Sequence, residues 1–269
     1  MLLPVRNLLK LAISGKGGVG KTLLSAMLAK TMAQVGYSIT AIDADPDANL
    51  ALTLGFPDAD KITPISEMKE LIQERTGTQP GSTSPYFKIN PRVDDIPDKY
   101  SVKHGSIRLL VMGLPKAGGA GCYCPENAVL AALMAHLLLA HNEMVVMDMA
   151  AGIEHLSRGT ARAVDKLIIV VEPGRASIET AGRIAALARD LGISSISVVG
   201  NKVHNQAERA FISTAIPDLE ILGFIPYDTS IIQADLHNIP GLDVSPQIIL
   251  AAKEIFNRLM QQTVLSGHR

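Results

Sequence analysis

Eight residues, Gly15-Lys16-Gly17-Gly18-Val19-Gly20-Lys21-Thr22, fit the spacing G-x-x-x-x-G-K-[ST] between an apolar run, Leu11 to Ser14, and a segment of helical period, Lys21 to Val35. That order restricts the chain to folds in which a strand passes through a glycine turn into a helix amino terminus. The glycines let successive N–H groups face one point, and the helix end adds partial positive charge, so the segment suits phosphate groups. Lys21 is placed to reach the outer phosphates and Thr22 to ligate Mg²⁺. A glycine turn without a ligand is the competing explanation, and the flanking strand and helix argue against it. Gly15, Gly17, Gly18, Val19, Gly20, Lys21, Thr22 and Leu23 are the expected nucleotide contacts of the loop.

Beyond the loop, short β-branched runs alternate with helical segments, as βαβ units around a parallel sheet require. Strands are expected near Leu11 to Ser14, Ser38 to Asp43, Ile107 to Met112, Met144 to Met149, Leu167 to Val171, Ser195 to Val199 and Ile221 to Ile225. Helices fit Lys21 to Val35, Glu126 to His141, Ala176 to Leu191, Gln206 to Ala215 and Pro246 to Gln262. The expectation is a single α/β P-loop NTPase domain over residues 1–269, with a mostly parallel sheet of about seven strands and helices on both faces. Residues 57–105 break the alternation. They are rich in Pro and Ser, helical only from Pro64 to Thr76, and read as an insertion, mobile or functional.

Composition narrows the partners. Lys and Arg total 25 against 26 Asp and Glu, so no basic excess announces a nucleic acid or an anionic membrane. The longest apolar run, Ala128 to Ala140, has thirteen residues including His136, short of the roughly 20 that span a bilayer. Without a cleavable leader pattern, and with two cysteines in all, the expected compartment is the reducing cytoplasm.

Ligands of open α/β sheets bind at the carboxyl ends of the strands, where two acidic segments fall: Asp43-Ala44-Asp45-Pro46-Asp47 and Asp148-Met149-Ala150-Ala151-Gly152. An acid following a buried apolar run can hold Mg²⁺ through water, a role assigned to Asp148 with Asp43 assisting. Asp47 reads equally as a turn or capping residue. After the sixth expected strand stands Asn201-Lys202-Val203-His204. A guanine pocket of the N-K-x-D type needs an acid at the last position to accept from the base, so His204 favours adenine. Asn201 and Lys202 are expected nucleotide contacts, with Ile225-Pro226-Tyr227 packing against the base; Asn201 also fits an ordinary turn residue.

Cys122-Tyr123-Cys124 lies between Gly118-Gly119-Ala120-Gly121 and Pro125. Buried structural thiols are one explanation, but a polar glycine-rich loop is a poor place for them. A disulfide between such near neighbours would be strained. Two thiolates leave a tetrahedral site half filled, and a symmetric dimer supplies the other half.

These motifs carry a resemblance. Lys16-Gly17-Gly18-Val19-Gly20-Lys21-Thr22 is similar to the deviant Walker A motif of the MinD, ParA and nitrogenase iron protein group. The resemblance implies a nucleotide-sandwich dimer in which Lys16 reaches the partner's phosphates, Asp45 orients or deprotonates the attacking water, and the Gly152 N–H meets the γ-phosphate. Taken alone, Lys16 would be an ordinary solvated lysine. With Asp43 to Asp47, Cys122-Tyr123-Cys124 and Val145 to Leu156 added, nearly the whole chain resembles the CooC-type maturation ATPases of carbon monoxide dehydrogenase and acetyl-CoA synthase. That family implies ATP and Mg²⁺ as cofactors, a homodimer, Ni²⁺ or Zn²⁺ on Cys122 and Cys124 at its interface, and delivery of nickel to a client enzyme. Leu23 stands where many relatives have threonine, and about nine residues precede the usual start. His155 reads as a passing metal ligand or as a hydrogen-bonding histidine near the switch. The alternatives are a MinD- or ParA-like spatial ATPase and an iron-sulfur reductase, whose relatives carry cysteines far apart in sequence.

Overall fold

The runs Leu11 to Ile13 and Val145 to Met147 carry no charge on either face, and both are fully buried side by side in the middle of the sheet. The computed structural model describes residues 9–79, 86–113, 125–140, 144–153, 156–236 and 245–266. In chain order the strands are β1 (Lys10–Gly15), β2 (Ile39–Ala44), β3 (Val102–His104), β4 (Ile107–Val111), β5 (Met144–Met149), β6 (Lys166–Val171), β7 (Ile196–Val203) and β8 (Glu220–Pro226). They pair in the order β3-β4-β2-β5-β1-β6-β7-β8. Every pairing is parallel except β3 with β4. The sheet therefore has eight strands, where the sequence suggested about seven. The additional strand, β3, is a three-residue edge piece with Lys103 and His104 exposed, too short and polar to leave an alternation in the sequence.

Alternation along each strand divides the core. Leu11, Ile13, Ile168 and Val170 face α1 (Lys21–Gln34) and α10 (Pro246–Ser266), joining Leu24, Leu28, Ile248 and Ile255 in one apolar cluster. Ala12, Val145, Met147, Leu167 and Ile169 point the other way, toward α5 (Pro125–Ala140) and α7 (Arg175–Leu191), where they join Val129, Leu133, Leu137 and Ile184. A helix on each face of a parallel sheet is the layered solution that buries both sides. Truncating a fully buried side chain such as Ile13 to alanine would cost roughly 2–5 kcal/mol.

The segment 57–105 also contributes to the core. After α2 (Leu50–Leu54) come two 3₁₀ turns, then α3 (Lys69–Thr76) and α4 (Ile96–Tyr100). Ile65, Leu71, Ile72 and Ile96 are buried with the α5 face, and Arg75 meets Asp95 at 2.7 Å across α3 and α4. Three further helices, α6 (Arg158–Ala161), α8 (Gln206–Ala215) and α9 (Thr229–Leu236), complete the described elements. Among the described residues, no helix is long and apolar enough to cross a membrane.

Because β1 sits between β5 and β6, the chain leaves it toward β2 on one side and later fills the other side with β6, β7 and β8. The carboxyl end of β1 is thus a topological switch point, where open α/β sheets form their ligand crevice.

Candidate nucleotide-binding site

The turn from β1 to α1 needs glycine at two places. Gly15 has φ +151°, and a Cβ there would stand 2.4 Å from the Val170 carbonyl oxygen. Gly20 has φ +95°, and its Cβ would stand 2.1 Å from Nδ2 of Asn201. No side chain caps α1, and its first turn holds no acid. The first N–H groups of a helix have no intrahelical acceptor, so this end is suited to an anion.

The loop forms one wall of an open cleft of about 800 Å³, lined by Gly17, Gly18, Gly20, Lys21 and Thr22. Asp45, Pro46, Asp47 and Asn49 from the β2–α2 turn, with Ala150 and Ala151 after β5, form the remainder. Clefts of a few hundred to 1,000 Å³ accept ligands of nucleotide size.

Lys21 and Asp45 meet across this cleft, Nζ to Oδ2 at 3.9 Å. Asp148, at the end of β5, is fully buried. Its Oδ1 lies 3.1 Å from the Ser25 hydroxyl, while Oδ2 has no partner among the described residues. Burial pushes this carboxyl up to about 6; the nearby Thr22 and Ser25 hydroxyls pull it down, the Asp45 charge raises it and Lys21 lowers it. A buried carboxylate oxygen without a partner, beside a P-loop threonine, fits a hard divalent cation that takes oxygen ligands. Asp43 is differently placed: Oδ1 accepts from the Asp45 N–H at 3.2 Å and Oδ2 from the Leu50 N–H at 2.9 Å. Burial pushes its carboxyl up to about 7 against those two bonds, with the neighbouring Asp148 adding to the rise. Asp43 holds the β2–α2 turn through the backbone; like Asp148, it lies beneath the cleft rather than among its lining residues. Asp47 is exposed, and its N–H donates to Oδ1 of Asp45 at 3.1 Å.

Behind the loop, fully buried Ser14 accepts from the Gly152 N–H at 3.3 Å and lies 2.8 Å from the Gly152 carbonyl. The glycine expected to meet a γ-phosphate is therefore tied to β1. At the tip of β7, Asn201 Nδ2 donates to the Val19 carbonyl at 2.7 Å, and Lys202 Nζ donates to the Gly18 carbonyl at 2.6 Å. Both side chains, expected to touch the nucleotide, hold the P-loop backbone.

Residues 10–241 match the model of the CobQ/CobB/MinD/ParA nucleotide binding domain. The chain is 46% identical over 241 residues to the carbon monoxide dehydrogenase accessory protein CooC of Rhodospirillum rubrum, covering 88% of this chain and 91% of that one. The chain belongs to this family, in its CooC-type branch. A Methanocaldococcus jannaschii protein, described as an uncharacterized ATP-binding protein, is 41% identical over 256 residues, covering 94% and 98% of the two chains. In fold, this CooC-type chain is similar to MinD of the Aquifex aeolicus MinC:MinD cell division complex, with a TM-score of 0.67 at 23% identity over 93% and 95% of the chains. A MinD from Pyrococcus horikoshii solved with Mg-ADP gives 0.63 at 17% identity, over 93% and 94%.

The remaining residues of the CooC-type pattern divide in two. Lys16 is half-buried in the loop, and Leu23 is half-buried against the α1 core. Pro226 ends β8 in register with Val203, and the His204 ring stacks on Tyr227 with centroids 4.4 Å apart. Cys122, Cys124 and His155 lie outside the described residues. Sequence reasoning missed Ser14 and Ser25. The signal was present in both: a hydroxyl inside an otherwise apolar strand, and another on the inward face of α1.

Proposed function

We propose that the chain is a magnesium-dependent ATPase of the cytoplasm that closes as a homodimer on ATP and delivers nickel to carbon monoxide dehydrogenase or acetyl-CoA synthase. The observation that carries the ATPase part is the convergence of Lys21, Thr22 and Asp45 on one cleft at the switch point of the sheet, with the buried Asp148 carboxylate close behind Thr22 and Lys21. The delivery part is supported by the similarity to CooC together with Cys122 and Cys124 in the sequence.

In this reading the loop N–H groups and Lys21 hold the β- and γ-phosphates. Thr22 and Asp148 hold Mg²⁺, which when bound offsets the negative charge that develops on the phosphate oxygens. Asp45 orients the attacking water and accepts its proton; the bond to the γ-phosphorus forms as the bond to the ADP oxygen breaks. Lys16 of a second copy adds positive charge on the leaving side, as an arginine finger does. His204, standing where a guanine pocket needs an acid, favours ATP over GTP. Closure brings the cysteines of both copies around one Ni²⁺ or Zn²⁺ cargo ion, since thiolates suit both and affinity order alone does not choose nickel.

Metal analysis with light scattering on the nucleotide-free, ADP and ATP-analogue forms, with and without added Ni²⁺ or Zn²⁺, tests this reading. A dimer that gains a metal ion, and loses it in the Cys122→Ser plus Cys124→Ser variant, is the expected result. Unchanged metal stoichiometry and affinity in that variant would remove the cysteines from the site.

A further inference from the structure

Lys202 has φ +56°, a backbone conformation that crowds the Cβ of any residue but glycine. Surrounding contacts must impose it. Its N–H donates to Oδ1 of Asn201 at 2.8 Å, and its ammonium lies 2.6 Å from the Gly18 carbonyl and 3.4 Å from the Glu172 carboxylate after β6. Beside it, the Asn201 amide holds the next carbonyl of the loop, that of Val19.

The far side of this tip is anchored as well. The His204 N–H donates to Glu208 of α8 at 2.7 Å, Asn205 caps α8 by accepting from the Glu208 N–H at 3.0 Å, and the Tyr227 N–H donates to the Val203 carbonyl at 3.1 Å. In a trans peptide the N–H points opposite the C=O. Fixing the Gly18 and Val19 carbonyls toward β7 therefore directs the Val19 and Gly20 N–H groups the other way, into the concave side of the loop.

We infer that Asn201 and Lys202 are positioning residues that set the phosphate cradle from behind, with Glu172 holding the lysine. The inference rests on the nucleotide-binding reading above. It explains why Gly20 must be glycine, since the Asn201 amide fills the space a Cβ would take. It also explains why a lysine accepts a left-handed backbone.

The test is to measure the affinities of ATP, ADP and inorganic tripolyphosphate, each with Mg²⁺, for the wild-type, Lys202→Met and Lys202→Arg proteins. A cradle fault is blind to the base, so Lys202→Met is expected to weaken all three ligands by the same factor, on the order of tenfold, as loss of a charged hydrogen bond implies. Lys202→Arg, which keeps the charge and the donors, is expected to recover most of the loss. If Lys202→Met weakens ATP and ADP but leaves tripolyphosphate at its wild-type affinity, Lys202 acts on the nucleoside and the inference is overturned. Three unchanged affinities overturn it equally. Wild-type protein that binds none of the three removes the nucleotide reading itself. Should Lys202→Met fail to fold, Glu172→Gln keeps the lysine but removes its anion; a parallel loss of about threefold is expected, and no loss sinks the clamp.

Discussion

The Ser25 hydroxyl, on the inward face of α1, stands 3.1 Å from Oδ1 of Asp148 and leaves Oδ2 of that carboxylate without a partner among the described residues. The serine fixes which oxygen remains for a cation. Asp148→Asn is therefore expected to lower Mg²⁺-supported ATP turnover roughly a hundredfold or more. Ser25→Ala, which loosens the carboxylate but keeps its charge, should cost only a few-fold. A magnesium titration of turnover checks both; equal effects would mean that Ser25 does more than orient its neighbour.

Lys21 and Lys16 separate phosphate binding from assembly. Lys21 faces Asp45 within the cleft, so Lys21→Ala should abolish turnover in either oligomeric state. Lys16→Ala should also abolish turnover, and in addition prevent dimerisation with an ATP analogue, measured by light scattering. Wild-type turnover in either variant removes that lysine from the mechanism.

Two glycines give opposite outcomes for the same substitution. Gly20→Ala places a methyl on Asn201 at a positive φ, and nucleotide affinity should fall at least tenfold. Gly182→Ala, on α7 with open space around it, should stabilise the protein by about 0.5–1 kcal/mol. Isothermal titration with nucleotide and thermal unfolding distinguish the two.

The pH dependence follows from Asp43. An unfolded chain releases this proton near the ordinary 3.8, whereas burial keeps it on the folded carboxyl up to about 7. Between those values the unfolded state has lost a proton that the folded state retains, so raising the pH favours unfolding. In a chelator without nucleotide, the melting temperature should fall from pH 5 to 7 by several degrees more in wild type than in Asp43→Asn. Parallel curves would show that Asp43 ionises in the folded protein as it does in water.

Much of this architecture was legible because apolar runs and helical periods are local signals. The strands expected near Leu11, Ser38, Ile107, Met144, Leu167, Ser195 and Ile221 all occur. β3 escaped notice since exposed Lys103 and His104 have no pattern to contribute, and α9 because its eight residues mix polar and apolar types without a clear stripe. The P-loop was readable as a motif and Asp148 as an acid ending a buried run. The grip of Asn201 on Val19 was not, since it joins residues 182 positions apart and depends on β7 standing two strands from β1. Sequence periodicity places a residue on a face. Strand order decides what it meets there.

The three-residue antiparallel β3 bears on how copies of the chain can meet. It ends one border of the sheet with a short stretch carrying Lys103 and His104 to solvent, while the opposite border is the seven-residue β8. The short, charged β3 border is a poor template for adding a strand from a neighbour. Growth into open-ended ribbons is discouraged on that flank, and the glycine loop lies away from it, at the ends of the central strands.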